Sequence, residues 1–449
     1  MKYIAILKDS IREALDSRVL YVMFVLSALV ILAVSSMSFK LLPAERTMKM
    51  FFFEGLGKPP LIPIAINARK IEKMADKDLN RTFDDNIRFR FEKVELLKGE
   101  ADAPESEYAL TAKEPNGVDL KGDNDQQSKA AMSVLRSIFQ DAEDFGYLRI
   151  GAVELLEPSA ENKTTARYRI TLQGTGQMRR IWASEPSLAF GAVPLFPDHL
   201  IGPLGLQLFG FAKLILGMGS WAAVLIGVVI TSFFFPNMLR KGTVDLLLVK
   251  PIYRWLLVLY KYIGGLTFIF LCTAFPVGGI WFVLGIRTGV WANGMLLLIL
   301  STTFFFAILY AISTFVGIAT RSTVTAILLT IGFWFGAFGV GAAHREFDMV
   351  RIREEFSEKH NRPIDPKDRW GDGNLALTFR TLHAIAPRTE DLNLLNDLIV
   401  YTDFMTGNLA DMNRFDTSKR NWWETLLVSG AWIAVFLGLS VVWFSFKDY

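Results

Sequence analysis

Long apolar runs alternate with two long polar stretches along the chain. Six of the apolar runs have about the 20 residues that a helix needs to cross a hydrocarbon core about 30 Å thick. They predict six membrane-spanning helices, at 19–39, 212–236, 256–285, 291–317, 323–343 and 425–446. Each span must be helical, because an open strand would leave backbone groups without hydrogen-bond partners in lipid. The predicted fold class is therefore an α-helical integral membrane protein.

The first polar stretch, residues 40–206, is a large insert between spans 1 and 2. Alternating apolar and polar positions predict strands in "RFRFEKVELL", "YLRIGAVELL" and "ARYRITLQG". An Asp-rich start and a terminal glycine predict a helix in "DNDQQSKAAMSVLRSIFQDAEDFG". Residues 99–127 are polar and contain proline and glycine, which predicts a loop. We expect an α+β domain here.

The second polar stretch, residues 344–424, is a smaller insert between spans 5 and 6. Helical patterns in "DMVRIREEFSEKH" and "TEDLNLLNDLIVYTDFM" predict a mostly helical segment. The predicted membrane segments around the inserts are 1–39 (a leading helix and span 1), 207–343 (spans 2–5) and 425–449 (span 6 and a short tail).

Basic residues in the short loops predict the orientation, because cytoplasmic loops carry an excess of lysine and arginine. With six spans, the basic residues at the N-terminus, in the 237–255 loop, at Arg321 and at Lys447 all lie on one side. The short loop on the other side has only Arg287. The pattern predicts a protein of the inner or plasma membrane with both termini in the cytoplasm and both inserts extracytoplasmic.

The segment before the first span has an amphipathic pattern. Apolar residues recur at helical spacing through residues 1–18, which predicts a helix lying in the membrane interface. An ordinary cytosolic helix is the alternative. A cleaved signal peptide is a further alternative, but the apolar run is long and Asp9, Glu13 and Asp16 precede it, so we favour a retained span.

The amino-acid composition mainly excludes some classes of partner and site. The net charge of +3 is too small to indicate a nucleic-acid partner. The single cysteine, Cys272, excludes an intrachain disulfide, and the scattered histidines lack zinc spacing. Met37, Met48 and Met50 are too sparse for a methionine-rich copper motif. We therefore expect no metal site.

The 237–255 loop combines basic residues with a short apolar helix. Asp245 lies in the predicted first turn, Thr243 can cap it, and Pro251 stops it. One interpretation is that this short cationic helix at the inner face is a docking element for a partner protein. The alternative is a positive-inside anchor whose leucines pack under the bundle.

The loop resembles that of a known family. It is similar to the loop after the second span in ABC-2 type transporter permeases, and most similar to the subgroup named for multi-copper enzyme maturation. The matching positions are Gly242, Thr243, Val244, Asp245, Leu246, Leu247, Leu248, Lys250, Pro251, Ile252, Arg254, Lys261, Tyr262, Gly264 and Gly265. The leading helix and six spans also resemble the family plan, whereas the two inserts depart from its minimal form.

The resemblance implies the permease subunit of an exporter. Two copies of a separate ABC ATPase subunit would bind ATP and Mg²⁺, so we expect no catalytic residue or cofactor in this chain, which also lacks a phosphate-binding loop motif. The implied ATPase-coupling residues are Arg240, Lys241, Gly242, Thr243, Asp245, Lys250, Pro251 and Arg254. The implied partners are a second permease chain, in a homodimer or a heterodimer, and membrane lipid.

Other functions stay open at this point. The chain is alternatively a membrane-anchored assembly or sensor protein whose outer domain binds an extracytoplasmic partner without transport. A membrane enzyme is disfavoured because no nucleophile–base set stands out. A proton-coupled carrier is disfavoured because the spans lack carboxylates. Lys213 and Lys261 are expected to reach the membrane surfaces, and the glycines of 332–343 to permit close helix packing or to line a substrate path.

Overall fold

A computed structural model describes residues 18–49, 90–100, 103–113, most of 129–157, 167–194, 202–239, 253–359, 373–404 and 421–446. Its helices are α1 (Arg18–Ser35), α2 (Ala44–Met48), α3 (Met178–Ile181), α4 (Leu204–Thr231), α5 (Phe234–Met238), α6 (Arg254–Thr288), α7 (Leu297–Thr320), α8 (Thr323–Lys359), α9 (Asn374–Ile385), α10 (Thr389–Phe404) and α11 (Trp422–Phe446). Its strands are β1 (Ser38–Leu41), β2 (Arg90–Lys98), β3 (Glu107–Lys113), β4 (Leu148–Glu157), β5 (Arg167–Gly174), β6 (Ala183–Leu188), β7 (Val193–Pro194) and β8 (Gly202–Pro203). Of the interfacial helix predicted for residues 1–18, residues 1–17 lie outside the described residues.

Within the described residues, five helical segments are long and apolar enough to cross a membrane. They are Leu204–Met238, Arg254–Thr288, Asn293–Thr320, Thr323–Arg351 and Trp422–Phe446. Helix α1 is apolar over Leu20–Ser35 but shorter than these. The structure thus agrees with five of the predicted spans by length and composition, and a sixth span at α1 stays a prediction.

Contacts with the first insert shift two span boundaries from the predicted positions. Helix α1 ends at Ser35 rather than at residue 39, because Ser38–Leu41 pairs with β6 as an antiparallel strand. Helix α4 begins at Leu204 rather than at 212, because its first turn is bound to the first insert: the Leu204 amide donates to the Trp182 carbonyl, and Gln207 hydrogen-bonds to Ser184 of β6. In both places a contact with the insert, and not hydropathy, decides where the helix ends or begins.

The predicted end of span 5 at residue 343 is not a break in the helix. Helix α8 continues without interruption from Thr323 to Lys359, so the span and the first helix of the second insert are one element. No glycine or proline follows Gly341 before the helix ends, and the polar part carries i,i+4 and i,i+3 pairs from His344 and Arg351 to Asp348.

The first insert contains an antiparallel sheet of order β2-β3-β5-β4. The described residues between 129 and 144 are helical, and their Leu135 and Phe139 are fully buried in the insert's core. The loop predicted for 99–127 is wrong at β3, which is a central strand. Tyr108, Leu110 and Ala112 alternate into the core, a pattern that the flanking glycine and proline residues obscured.

A second, smaller sheet connects the first insert to the membrane helices. Strand β6 pairs with β1, β7 and β8, and β8 leads directly into α4. The indole Nε1 of Trp182, just before β6, donates a hydrogen bond of 2.8 Å to the Leu42 carbonyl. The Ser184 hydroxyl and the Gln207 carboxamide form a 2.8 Å hydrogen bond between β6 and α4.

Helix α7 is the centre of the helix bundle and packs against α4, α6, α8 and α11. The Tyr310 ring stacks on Tyr262 of α6 with centroids 5.0 Å apart. The Tyr262 hydroxyl donates a 2.6 Å hydrogen bond to the Ala307 carbonyl. A Cβ at Gly265 would lie 2.4 Å from the Tyr310 ring, so this approach of α6 to α7 requires glycine.

The bundle has two distinct ends. We call the end where Ser35, Leu204 and Trp422 lie the insert end, because both inserts join the helices there. We call the opposite end, where Met238 and Arg254 lie, the loop end, because it carries the basic 240–252 segment.

Candidate functional site

The loop end carries the residues that the sequence singled out for coupling to an ATPase. Arg240, Lys241, Gly242, Thr243, Asp245, Lys250 and Pro251 lie outside the described residues. Arg254 is described and is the first residue of α6. Its Nη1 donates a hydrogen bond of 3.3 Å to the carbonyl of Ser445, at the end of α11. The side of the loop that enters α6 is thereby connected to α11.

The other flank of the loop is held by α7. The Ser232 and Ser313 hydroxyls, at the end of α4 and in α7, form a buried hydrogen bond of 2.8 Å. Helix α5 follows, with Phe235 and Pro236 buried, and Pro236 lies 3.5 Å from the position of a Cβ at Gly317. Both flanks of the loop therefore contact the bundle, one through α7 and the other through α11.

At the insert end, three arginines tie the first insert to the helices. Arg179 Nη1 donates a 3.3 Å hydrogen bond to the Thr288 carbonyl, and Arg180 Nη1 donates one of 2.7 Å to the Asp403 carbonyl. Arg287 Nη2 donates one of 2.9 Å to the Met37 carbonyl. Burial lowers the pKa of the Arg180 guanidinium, while the Asp403 carboxylate acts in the opposite direction. The first insert therefore holds both the α6–α7 connection and α10.

Helix α10 lies across the insert end and carries a buried ionic cluster. Asp391 is 1 % exposed, with its Oδ2 3.3 Å from His383 Nε2 and 3.5 Å from Arg388 Nη1. Arg388 Nη2 also lies 2.6 Å from Glu424 Oε1 at the start of α11. The His383 ring stacks on His344 of α8, with centroids 4.0 Å apart. The cluster joins α8, α9, α10 and α11.

Sequence reasoning did not find this cluster. Its residues are scattered between 344 and 424, and in the sequence they look like the polar face of ordinary helices. The sequence feature that could have indicated the cluster is the presence of His344 and His383, with acidic residues near them, in the segment that follows span 5. Only the crossing of α10 over the other helices brings them together.

The lysines predicted to reach the membrane surfaces differ in their surroundings. Lys213 of α4 pairs with Asp397 of α10, with Nζ 2.6 Å from Oδ2. Its ammonium thus binds a carboxylate of the second insert. Lys261 lies near the loop end of α6, half-buried.

No group of three or more His, Cys, Asp or Glu side chains in the described part of the chain is arranged to hold a metal ion. Met37 and Met48 are both buried, at 5 % and 2 % exposed, and Met48 belongs to the core of the first insert. The thioethers of Met37 and Met48 pack as apolar groups.

The described residues thus contain five helices long and apolar enough to cross a membrane, and both flanks of the basic loop contact the helix bundle. A family model described as "ABC-2 family transporter protein" matches residues 4–449. The chain belongs to this family. As an ABC-2 family member it is a membrane-embedded protein and the permease component of an ABC transporter, and the family implies an ATPase partner.

The match covers both inserts as well as the helices of this ABC-2 family member. It does not distinguish the subgroup named for multi-copper enzyme maturation, which stays a prediction. No curated protein and no solved structure matched the chain.

Proposed function

We propose that this ABC-2 permease is an exporter subunit driven by a separate ATPase, which engages the loop at residues 240–254. The observation that supports this most directly is the attachment of the loop's flanks to different helices. Arg254 hydrogen-bonds to the end of α11, and the Ser232–Ser313 bond and Pro236 hold the other flank against α7.

Because of these contacts, a movement of the loop would be transmitted to the helices of the bundle. A displacement of the loop by ATP-driven closure of two ATPase subunits would act on α7 and α11 together, because both flanks contact them. The proposed orientation follows the basic loop residues: loop end and both termini in the cytoplasm, insert end outside, in the inner or plasma membrane. ATP and Mg²⁺ would be held by the ATPase, and an extracytoplasmic protein is a further possible partner of the inserts.

The loop proposal predicts loss of the ATPase on charge reversal. The double variant Asp245→Arg plus Arg254→Glu is expected to lose at least about tenfold of the ATPase that co-purifies with wild type from detergent-solubilised membranes, about 1.4 kcal/mol of binding free energy. Reversing charges in a docked helix places like charges opposite the partner's groove. The measurement is the ratio of ATPase to permease in the eluate.

The matched control is Asp144→Arg plus Arg149→Glu, the same exchange of charges at two exposed positions of the first insert. It should retain the ATPase at the wild-type ratio. If no ATPase accompanies wild type, or if the loop variant retains it fully, the proposed coupling is wrong. The chain is then better explained as a membrane-anchored assembly or sensor protein.

An open row of glycines on α8 supports pairing with a second permease chain. Gly332, Gly336 and Gly339 are exposed, and a Cβ at any of the three would meet no atom within 4 Å. Glycines packed inside one bundle, such as Gly265, instead face a neighbouring side chain at close range. An exposed row of small residues in a membrane helix allows a second helix to approach closely. We therefore propose a homodimer that pairs through α8.

Filling this row is expected to weaken self-association. In Gly332→Leu plus Gly336→Leu, two bulky side chains would hold the paired helices apart, and we expect the dissociation constant in detergent to rise at least about tenfold. Light scattering coupled to size exclusion measures the mass of the complex across a dilution series. Gly438→Leu, an equally open glycine on α11, is the control and should leave the mass unchanged. A wild-type protein that is monomeric throughout would refute the homodimer.

A further inference from the structure

A cavity of about 710 Å³ lies at the insert end, between α10 and the membrane helices α4, α7 and α8. Its volume is in the range of sites that bind small organic molecules. It is separate from the proposed coupling site, which lies at the opposite end of the bundle. The two sides of the cavity differ in chemistry, and this difference indicates what it can hold.

The polar side comes mainly from α10. Glu390, Asn393, Asn396 and Asp397 line it, and Lys213 of α4 faces them. Asp397 Oδ2 binds the Lys213 ammonium at 2.6 Å, and Glu390 Oε1 lies 3.4 Å from Arg345 Nη1. The carboxamide of Asn393 forms no hydrogen bond within the part of the chain that the structure describes, so it is available to a ligand.

The apolar side lies deeper along the membrane helices. Trp221 is two turns further along α4 than Lys213, about 12 Å at 1.5 Å per residue. Its ring packs against Phe338 of α8, with centroids 5.3 Å apart in an edge-to-face arrangement, and both side chains line the cavity. The cavity therefore runs from a charged end near the membrane surface to an aromatic end within the span.

The cavity also opens beside an exposed apolar side chain of a helix that is long and apolar enough to cross a membrane. Leu214 lines it and is 57 % exposed, on a helix that is apolar enough to cross a membrane. A molecule could therefore enter sideways from the bilayer with its polar group at the level of Lys213. This entry route favours a membrane amphiphile over a solute from the aqueous phase.

We infer that this cavity binds one zwitterionic membrane lipid, with an ammonium and a phosphate in its head group and an acyl chain along Trp221 and Phe338. The paired charges of the wall decide the head group. Lys213 and Asp397 offer adjacent charges of opposite sign at the partly exposed mouth of the cavity, so a zwitterionic head group finds a partner for its phosphate and one for its ammonium. An anionic head group carries no ammonium for Asp397, and its negative charge would lie beside the carboxylates of Asp397 and Glu390.

The inference does not depend on the proposed ATPase coupling, because binding is measured on the purified chain alone. The protein is reconstituted in nanodiscs of equal phosphatidylethanolamine and phosphatidylglycerol, transferred to detergent and analysed by native mass spectrometry. We expect wild type to retain one phosphatidylethanolamine per chain. Phosphatidylglycerol should be retained about tenfold less, because it lacks the ammonium that would bind Asp397. Equal retention of the two lipids would overturn the inference.

Two variants test the site itself. Gly217→Leu places a bulky side chain in the cavity, and its Cβ meets nothing within 4 Å, so the helix can accept it. Lys213→Gln plus Asp397→Asn removes the charges but keeps hydrogen-bonding groups of similar size. Each is expected to reduce bound phosphatidylethanolamine about tenfold or more. Wild-type retention by either variant would overturn the inference, and the second variant remains decisive if the first does not fold.

The control is Gly210→Leu, the same substitution on the same helix at an exposed glycine that does not line the cavity. It should retain lipid as wild type does, and loss of lipid here would mean that α4 responds to any leucine. Soluble phosphoethanolamine, added as a competitor, is expected to leave the bound lipid in place because it lacks the chain that Trp221 and Phe338 hold. If free phosphoethanolamine displaced the bound lipid, the inference that Trp221 and Phe338 hold the acyl chain would be overturned.

Discussion

Replacing Asp391 by alanine is expected to destabilise the protein by about 3–5 kcal/mol, the typical cost of removing one partner from a buried ion pair. The carboxylate is 1 % exposed and lies within 3.5 Å of both His383 and Arg388. The side chain of Arg388 is itself only 13 % exposed and that of His383 only 5 %. Removing Asp391 therefore takes the carboxylate away from two largely buried side chains, although Arg388 keeps its pair with Glu424.

The loss of stability should be concentrated at the insert end of the helix bundle. Asp391 is in the first turn of α10, where a negative charge also favours the helix dipole. We expect faster hydrogen exchange in α9 and α10, together with a lower unfolding temperature in detergent. Asp391→Asn, which keeps the shape but not the charge, should recover only part of the stability.

The control for this prediction is Asp144→Ala, at an exposed carboxylate in the first insert, and it should change stability by less than about 0.5 kcal/mol. If Asp391→Ala unfolds at the same temperature as wild type, the buried cluster does not hold α9 and α10 to the bundle. Their position would then depend on apolar packing alone.

Replacing Trp182 by alanine is expected to cost about 3–5 kcal/mol, because it removes a fully buried aromatic side chain and leaves a cavity. Trp182 is 0 % exposed, and its ring packs against Tyr108 of β3, with the ring centroids 6.1 Å apart. The substitution also deprives the Leu42 carbonyl of its 2.8 Å hydrogen bond from the indole. The backbone carbonyl of Trp182 meanwhile accepts from the Leu204 amide, at the start of α4.

The consequence should be a loosened joint between the first insert and the membrane helices. We expect amide exchange to accelerate in β1, β6 and the first turn of α4, while the central α7 stays protected. Trp423→Ala is the matched control: its side chain is 70 % exposed, and the change should have little effect on either measurement. Uniformly faster exchange through α7 would contradict the idea of a local joint.

Much of the architecture could be predicted because it depends on local chemistry. Five predicted spans coincide with helices long and apolar enough to cross a membrane, since an apolar run of that length has no other stable arrangement in lipid. The strands at β2, β4 and β5 were confirmed, because each alternates apolar and polar residues on its own. The family resemblance, carried by Gly242–Gly265, was confirmed by the match over residues 4–449.

Other elements could not be derived in this way. Strand β3 has a clear alternation at Tyr108, Leu110 and Ala112, but it is short and its neighbourhood is rich in turn-forming residues. Its place at the centre of the sheet depends on pairing with β5, whose residues are about 60 positions away in the chain. The coupling residues between Arg240 and Pro251 remain a prediction, with only Arg254 among the described residues.

By itself the sequence determined that this is a helical membrane protein with two polar inserts and a basic loop, because hydropathy and charge act over windows of about 20 residues. The tertiary structure decided that α8 runs on past the predicted membrane boundary and that α10 crosses the insert end. It also brought Asp391 to His383, and Lys213 to Asp397. These contacts join residues of different helices, and long-range packing, which no local pattern encodes, selects them.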